Sequence, residues 1–459
     1  MTNRLTTSGT ELPTGVPFPA PAGSTVPPEE QSGLRLPILC CWLLMLVTFS
    51  APGRESPRDS GGLDVIGLAK LAVRVFVVLA LAHEIAKNWN HRRRPVVAWC
   101  FAPFAAFVGW SLITTAWSPL MTISLGQWGG LLGQTLLAAV IALRWSGPRD
   151  TSTLLRHLCL ALAGVSAILT AVDFFSHDLS GLNREDFQTE ASNGMVHPTS
   201  AGATGSLGIV MLVAARLLWG WAWVRAFLIP GLLACAALLL LSHSRMALAM
   251  TGVALGLAFL RYTGAQFLSG SLVAATILGV GYLAYDPGLT EVDHARKELN
   301  SYWRRGETDE QMSSLNGRGD LWEAVWSEFA HSPILGHGYF LTSRTGILDV
   351  WSGPAVRTAH NVLLQVLAST GAIGFGLFLW ALFRPMRAAA RELSGDGEAG
   401  KLGAFLFLFG VWYFGWGQLC ESFLGPVQPE SVVFYCLLGL AVSQVRRVPE
   451  PPIPVEVER

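Results

Sequence analysis

The sequence predicts an all-α, polytopic transmembrane helical bundle of about 12 spans, with one large, partly helical periplasmic loop. Three observations carry this. Hydrophobic residues make up 51% of the 459-residue chain and charged residues only 14%, against roughly 25% charged in a soluble domain. Apolar runs recur from Leu36 almost to the C-terminus, many near the roughly 20 residues that cross a bilayer. Lysines and arginines gather in alternate breaks between those runs. The same composition excludes other classes. Lys+Arg and Asp+Glu tie at 32 each, so no basic excess points to nucleic acid. Hydrophobicity is too high for a disordered chain. The seven cysteines fall in or beside apolar stretches and show no metal or CxxC spacing, so they read as small buried hydrophobes.

Taken in order, residues 1–35 are rich in Pro, Thr, Ser and Gly and read as a disordered cytoplasmic tail, with no basic-then-apolar signal-peptide pattern. The apolar runs lie near 36–51, 64–82, 96–116, 123–143, 154–175, 200–218, 224–241, 246–260 and 266–284, then 361–383, 402–420 and 430–445. This divides the chain into nine spans over 36–284, a large loop over 285–360, three spans over 361–445 and a cytoplasmic tail over 446–459. With the N-terminus cytoplasmic, the cytoplasmic breaks hold Lys87, Arg92, Arg93, Arg94, Arg144, Arg149, Arg156, Arg216, Arg225, Arg261, Arg384, Arg387, Arg391 and Lys401. The short breaks on the other face hold only Arg54, Arg58, Arg184 and Arg245. That bias sets the expected orientation in the membrane, with both termini on the cytoplasmic side.

Two outer breaks are long, about 176–199 and 285–360, and loops of that length are usually functional or disordered. The second is rich in aromatics. Within it, Arg318–Ala330 reads as a helix stopped by Ser332-Pro333. Trp322, Trp326 and Phe329 follow i, i+4, i+7 and make one aromatic face, suited either to the membrane surface or to the bundle. No internal repeat is evident, which argues against a transporter built from related halves.

Chemistry-bearing residues cluster at three outer positions. Arg245 ends the short connection Ser242-His243-Ser244-Arg245 at the membrane boundary, either as a snorkelling side chain or as a ligand for an anion. Asn316-Gly317-Arg318-Gly319-Asp320-Leu321-Trp322 opens the loop helix, where glycines beside an arginine leave backbone N–H groups for an anion or make an ordinary turn. Ala359-His360-Asn361 stands where the loop re-enters the membrane. His360 there is either a general base or an interface histidine. Three further cations deserve weight. Lys70 and Arg74 lie one helical turn apart inside the second apolar run, and a charge inside the membrane marks function unless the span is misjudged. Arg184 sits in the first long outer break.

In this order the motifs resemble the O-antigen ligase and polymerase family of bacterial membrane glycosyltransferases. The resemblance runs through Ser244-Arg245, then Gly317-Arg318 with Trp322, then Pro333-Ile334-Leu335-Gly336-His337-Gly338. It closes with His360-Asn361, Leu364-Gln365, Gly371 and Gly374. It is strong from about 240 to 380 and only topological before that, although Arg184 and His197-Pro198-Thr199 echo a family Arg and Pro-Asn, with Thr199 in place of the Asn. The resemblance implies transfer of a glycan from undecaprenyl pyrophosphate to an acceptor hydroxyl on the periplasmic side, with lipid A core, a glycan repeat or a protein Ser as acceptor. Its partners are then that lipid-linked donor, a glycan or lipid acceptor and the surrounding membrane lipids, with no nucleic acid. The chain has no Asp-x-Asp for a metal-held diphosphate, so no cofactor and no metal are expected. Arg245 and Arg318 take the diphosphate instead, because a guanidinium stays charged and binds phosphate oxygens in pairs. Arg184, Arg74 and Lys70 are further substrate-binding candidates, and His360 is the expected general base. The ligase branch matches best. The competing class is a transporter for a lipid-linked glycan, which would carry cations through the bundle core, where only Lys70 and Arg74 lie.

Overall fold

The computed structural model describes residues 33–48, 65–88, 94–119, 121–176, 198–261, 318–339, 359–393, 397–420 and 427–445, with Lys297 and Asn300 besides. Among them the ordered elements are helical and none is a strand. They are α1 (Arg35–Leu46), α2 (Val65–Lys87), α3 (Arg94–Thr114, continued by a 3-10 turn to Trp117), α4 (Met121–Arg144) and α5 (Pro148–Phe175). Then come α6 (Pro198–Leu218), α7 (Ala222–Leu241), α8 (245–261), α9 (Arg318–His331), α10 (Val362–Glu392), α11 (Gly397–Gly417) and α12 (Pro429–Ser443). Seven of these, α3, α4, α5, α6, α7, α10 and α11, are long and apolar enough to cross a membrane. The helices α1 and α12 are apolar but shorter, at 12 and 15 residues. The 23-residue α2 carries Lys70, Arg74, Glu84 and Lys87. The polytopic helical bundle is therefore as expected. The ninth expected run, 266–284, lies outside the described residues, as do the 176–199 break beyond Ser176 as far as Pro198 and most of 285–360.

Local chemistry explains the helix ends. Pro148 opens α5 at its first position, where a missing N–H costs nothing, and the Asp150 carboxylate reaches back to the Ser146 N–H at 2.8 Å. Pro429 opens α12 behind a reciprocal cap between Gln428 and Ser431. Pro103, Pro230 and Pro385 sit inside α3, α7 and α10, and neighbouring helices make such breaks tolerable within a membrane.

The chain runs up and down, so the helix ends form two layers. One layer holds the C-terminal ends of α2, α4, α6 and α10 and the N-terminal ends of α3, α5, α7 and α11. There Glu84 is ion-paired to Arg144, and Trp219 donates to Glu398 at 2.7 Å. The other layer holds the C-terminal ends of α3, α7 and α11 and the N-terminal ends of α4, α8, α10 and α12. In the middle, α6 is buried nearly all round, whereas α7 shows Ile229 and Leu233 to the outside. A helix apolar on every side suits the centre of a bundle. One continuous core joins Leu137, Val140 and Ile141 of α4 to Val432, Tyr435 and Cys436 of α12 and Phe405, Phe409 and Trp412 of α11. All seven cysteines are free and buried, as the sequence suggested.

Candidate active site

The candidate site is built on a break in α10. Gly371 has φ 67 and ψ −174, so two helical segments meet there rather than one. The break leaves backbone groups open, and the turn after α9 fills them. The N–H groups of His337 and Gly338 donate to the Ala368 and Ser369 carbonyls, each at 3.0 Å. In return the Pro333 carbonyl accepts from Ala372 N–H at 2.8 Å. Trp110 of α3 donates its indole N–H to the Thr370 carbonyl at 2.8 Å, and Trp117 donates to the Gly336 carbonyl at 3.1 Å. Backbone groups on both sides of the break thereby gain partners, which is the condition for broken helix inside a membrane. Two glycines make the approach possible. A Cβ on Gly336, where φ is +69, would stand 2.5 Å from the Gly371 nitrogen, and a Cβ on Gly371 would run into the Ile334 carbonyl. The Pro-x-x-Gly-x-Gly motif is thus a backbone plug for the Gly371 break.

His360 sits just above, in the last turn before α10. Its φ is +46, a left-handed conformation that costs a non-glycine residue of order 1 kcal/mol or more. The neighbours hold it there. Asn361 caps α10 through Oδ1, which accepts from Leu363 N–H at 2.9 Å and Leu364 N–H at 3.1 Å. Its Nδ2 donates to the Gln418 carbonyl at the end of α11, at 3.2 Å. Gln365 Oε1 accepts from Ala359 N–H at 3.1 Å. The Ala359 carbonyl accepts from the Trp322 indole at 3.0 Å. Both peptide groups of Ala359 are thus tied, one to α10 and one to α9.

Trp322 also delivers Arg318. The two residues are one turn apart on α9 and share a face. Leu321 and Val325 bury against Ala359, Leu364 and Ala368, so α9 lies on the head of α10. Of the expected aromatic face, Trp322 turns to Ala359. Trp326 packs on Phe329 and stays 55% exposed, so the bundle-facing stripe is aliphatic. His337 closes this unit, its Nε2 lying 2.6 Å from the Glu328 carbonyl.

Arg245 belongs to the same layer from the other side. It opens α8 after a turn in which His243 has φ +47. The Ser244 carbonyl accepts from Leu248 N–H at 3.0 Å. Ser242 and Ser244 press against Gly202 near the start of α6, leaving no room for a side chain there. Below them, Ser206 bonds to Thr251 at 2.6 Å and receives the Trp412 indole at 2.8 Å. Above them, Ser200 donates to the buried Glu430 carboxylate at 2.7 Å, and Tyr413 donates to the Glu430 carbonyl at 2.7 Å. This polar seam runs from α8 across α6 to α11 and α12, and α11 ends at the Gln418 carbonyl that anchors Asn361.

The structure thus ties Trp322, one turn from Arg318, to Ala359, the residue before His360, and sets Arg245 in the same layer of helix ends; Arg318, His360 and Arg245 are all half-buried. Lys70 and Arg74 stand apart on α2, where Arg74 Nη1 reaches the Gly126 carbonyl of α4 at 3.5 Å. Arg184 lies outside the described residues. Sequence reasoning did not single out the Gly371 break, Gln365 as the brace of Ala359, or buried Glu430. A glycine within an apolar helix and an acid at the head of an apolar run were the available signals for the first and last.

Residues 230–379 match a family model described as O-Antigen ligase. That stretch holds Arg245, Arg318, the backbone plug, His360 and the Gly371 break. No curated protein matches the chain. Seven helices long and apolar enough to cross a membrane, taken with this match, identify a multi-pass membrane protein that carries an O-antigen ligase-like region over residues 230–379.

Proposed function

We propose that the protein transfers a glycan from undecaprenyl pyrophosphate to an acceptor hydroxyl on the periplasmic face of the bacterial inner membrane, acting as an O-antigen ligase. The observation that carries this reading is the Trp322–Ala359 hydrogen bond, which couples the Arg318 end of α9 to the strained His360 backbone. In the reaction, the acceptor oxygen attacks the anomeric carbon and its proton passes to His360. The bond from that carbon to the diphosphate oxygen breaks, and undecaprenyl pyrophosphate leaves with the electron pair. Arg245 and Arg318 hold the diphosphate and stabilise the charge that grows on it. One displacement inverts the anomeric centre. Gln365 Nε2 is buried with no hydrogen-bond partner among the described residues, so it would donate to a substrate oxygen beside His360. Lys70, Arg74 and Arg184 are assigned to the approach of the anionic donor, as cations inside or at the edge of the membrane.

The test is envelope polysaccharide profiling in a deletion strain carrying wild type, His360→Ala, Arg245→Ala or Arg318→Ala at matched membrane levels. Wild type should restore polymer, and the variants should leave full-length chains on undecaprenol. Accumulated single repeats would make the protein a polymerase instead. Full restoration by His360→Ala would remove the general-base assignment.

A further inference from the structure

A second feature lies at the opposite layer of helix ends, at the far end of α10. The spacing of Arg384, Arg387 and Arg391 is i, i+3, i+7, which puts them on one face. Arg384, Arg387 and Arg391 lie in the last turns of α10, well past the Gly371 break, in the layer of helix ends that also holds the Glu84–Arg144 pair. A cationic end of a long apolar span belongs at the membrane–water boundary, so these turns fall to the headgroup region. Aromatic rings are interleaved with the arginines. The Arg384 guanidinium sits 4.0 Å from the Trp99 ring centroid and 4.8 Å from that of Trp380, and it donates to the Trp99 carbonyl. The Arg387 guanidinium lies 5.9 Å from the Phe383 centroid. Trp99, Trp380 and Phe383 are 48%, 47% and 60% exposed, and Leu379 beside them is 42% exposed.

Charge is the deciding point. At the same layer Arg144 is paired to Glu84 and Lys401 to Glu398. Among the described residues no carboxylate pairs with Arg384, Arg387 or Arg391. Exposed Arg387 and Arg391, with half-buried Arg384 beside them, therefore stand next to an open apolar and aromatic strip. We propose that this face of α10, beside Trp99 of α3, binds the phosphodiester headgroup of an anionic phospholipid, whose acyl chains lie along Leu379, Trp380 and Phe383. Arg387 and Arg391 take the phosphate oxygens, while Arg384, fixed by two rings and a carbonyl, sets the positive floor of the site. The ligand is held by charge and apolar strip together, so neither a zwitterionic lipid nor free phosphate satisfies it.

The test uses the full-length protein, purified and delipidated in a non-ionic detergent. It is titrated with phosphatidylglycerol or phosphatidylcholine of matched chains, or with inorganic phosphate. Bound lipid is counted by native mass spectrometry, and the thermal midpoint is recorded in parallel. Wild type should retain phosphatidylglycerol over phosphatidylcholine and gain thermal stability from it alone. The double variant Arg387→Gln/Arg391→Gln keeps the Arg384 bond to Trp99. It should bind phosphatidylglycerol about 25-fold more weakly, at about fivefold per arginine. Arg216→Gln, at an exposed arginine of the same layer away from this face, should leave binding unchanged. Equal retention of the two lipids, an unaltered double variant, or the same stabilisation by inorganic phosphate would overturn the site. The lipid preference of wild type decides the matter even if the double variant fails to fold. None of these outcomes bears on the transfer reaction at the other layer.

Discussion

At the scale of single residues, His360 is the position where backbone and proposed chemistry meet. A left-handed histidine persists only when its surroundings over-determine it, and here Asn361, Gln365 and Trp322 do so through four hydrogen bonds to the 359–364 backbone. Removing the base should lower transfer about 10²–10⁴-fold with little effect on membrane abundance, measured with lipid-linked donor and purified protein. Asn361→Ala separates support from chemistry. It removes a helix cap worth about 1 kcal/mol and the tether to Gln418. A modest fall in melting temperature should accompany a larger fall in transfer rate. If the rate fell no further than the folded fraction, the tether would have no part in placing His360. The motif His-Asn-x-x-Leu-Gln was legible as a motif. That its Gln braces the residue before the His was not, because the reach back to Ala359 exists only once α10 has formed.

At the scale of elements, the broken α10 and its plug are one unit. The four backbone bonds between 333–338 and 368–373 replace those the helix loses at Gly371. Gly371→Ala would force a side chain into the Ile334 carbonyl at a backbone conformation that L residues rarely adopt. The expected result is a loss of more than 2 kcal/mol, of order the largest single-site effects, seen as low membrane yield or a lowered melting temperature. A neutral Gly371→Ala would show that the plug is not needed for stability. Trp322→Phe tests the other joint. It keeps the ring but strips the donor from the Ala359 carbonyl, and an unsatisfied buried carbonyl costs about 1–3 kcal/mol. If the joint positions Arg318, the apparent KM for the lipid-linked donor should rise more than kcat falls. A change in stability alone would make Trp322 structural. The span of α10 and the existence of α9 were readable from apolar runs, caps and Ser332-Pro333. The break itself was not, since Gly371 sits about 35 residues from the turn that fills it and reads as one more small residue in an apolar helix.

At the scale of the whole molecule, the two layers of helix ends differ in chemistry. One carries the paired and unpaired arginines, the other the candidate site. The charge bias predicts that the arginine layer is cytoplasmic. Labelling with a membrane-impermeant maleimide checks this cleanly, because the seven native cysteines are buried. Ser327→Cys on exposed α9 should label in intact spheroplasts, and Arg391→Cys only after permeabilisation. The reverse pattern would invert the orientation and move the proposed reaction to the cytoplasmic face. By itself the sequence determined the all-α membrane class, the order of most helices and the family motifs. Those rest on local terms, namely apolar length, caps and charge placement. Only the tertiary structure decided that α9 lies on the head of α10, that a turn plugs a broken helix, and that Trp322, one turn from Arg318, bonds to Ala359, next to His360. It also decided that Glu430 is buried in the seam reaching Arg245, and that Arg384 is caught between Trp99 and Trp380. Each of these joins residues far apart in the chain, and such contacts follow from how the helices pack rather than from any one segment's pattern.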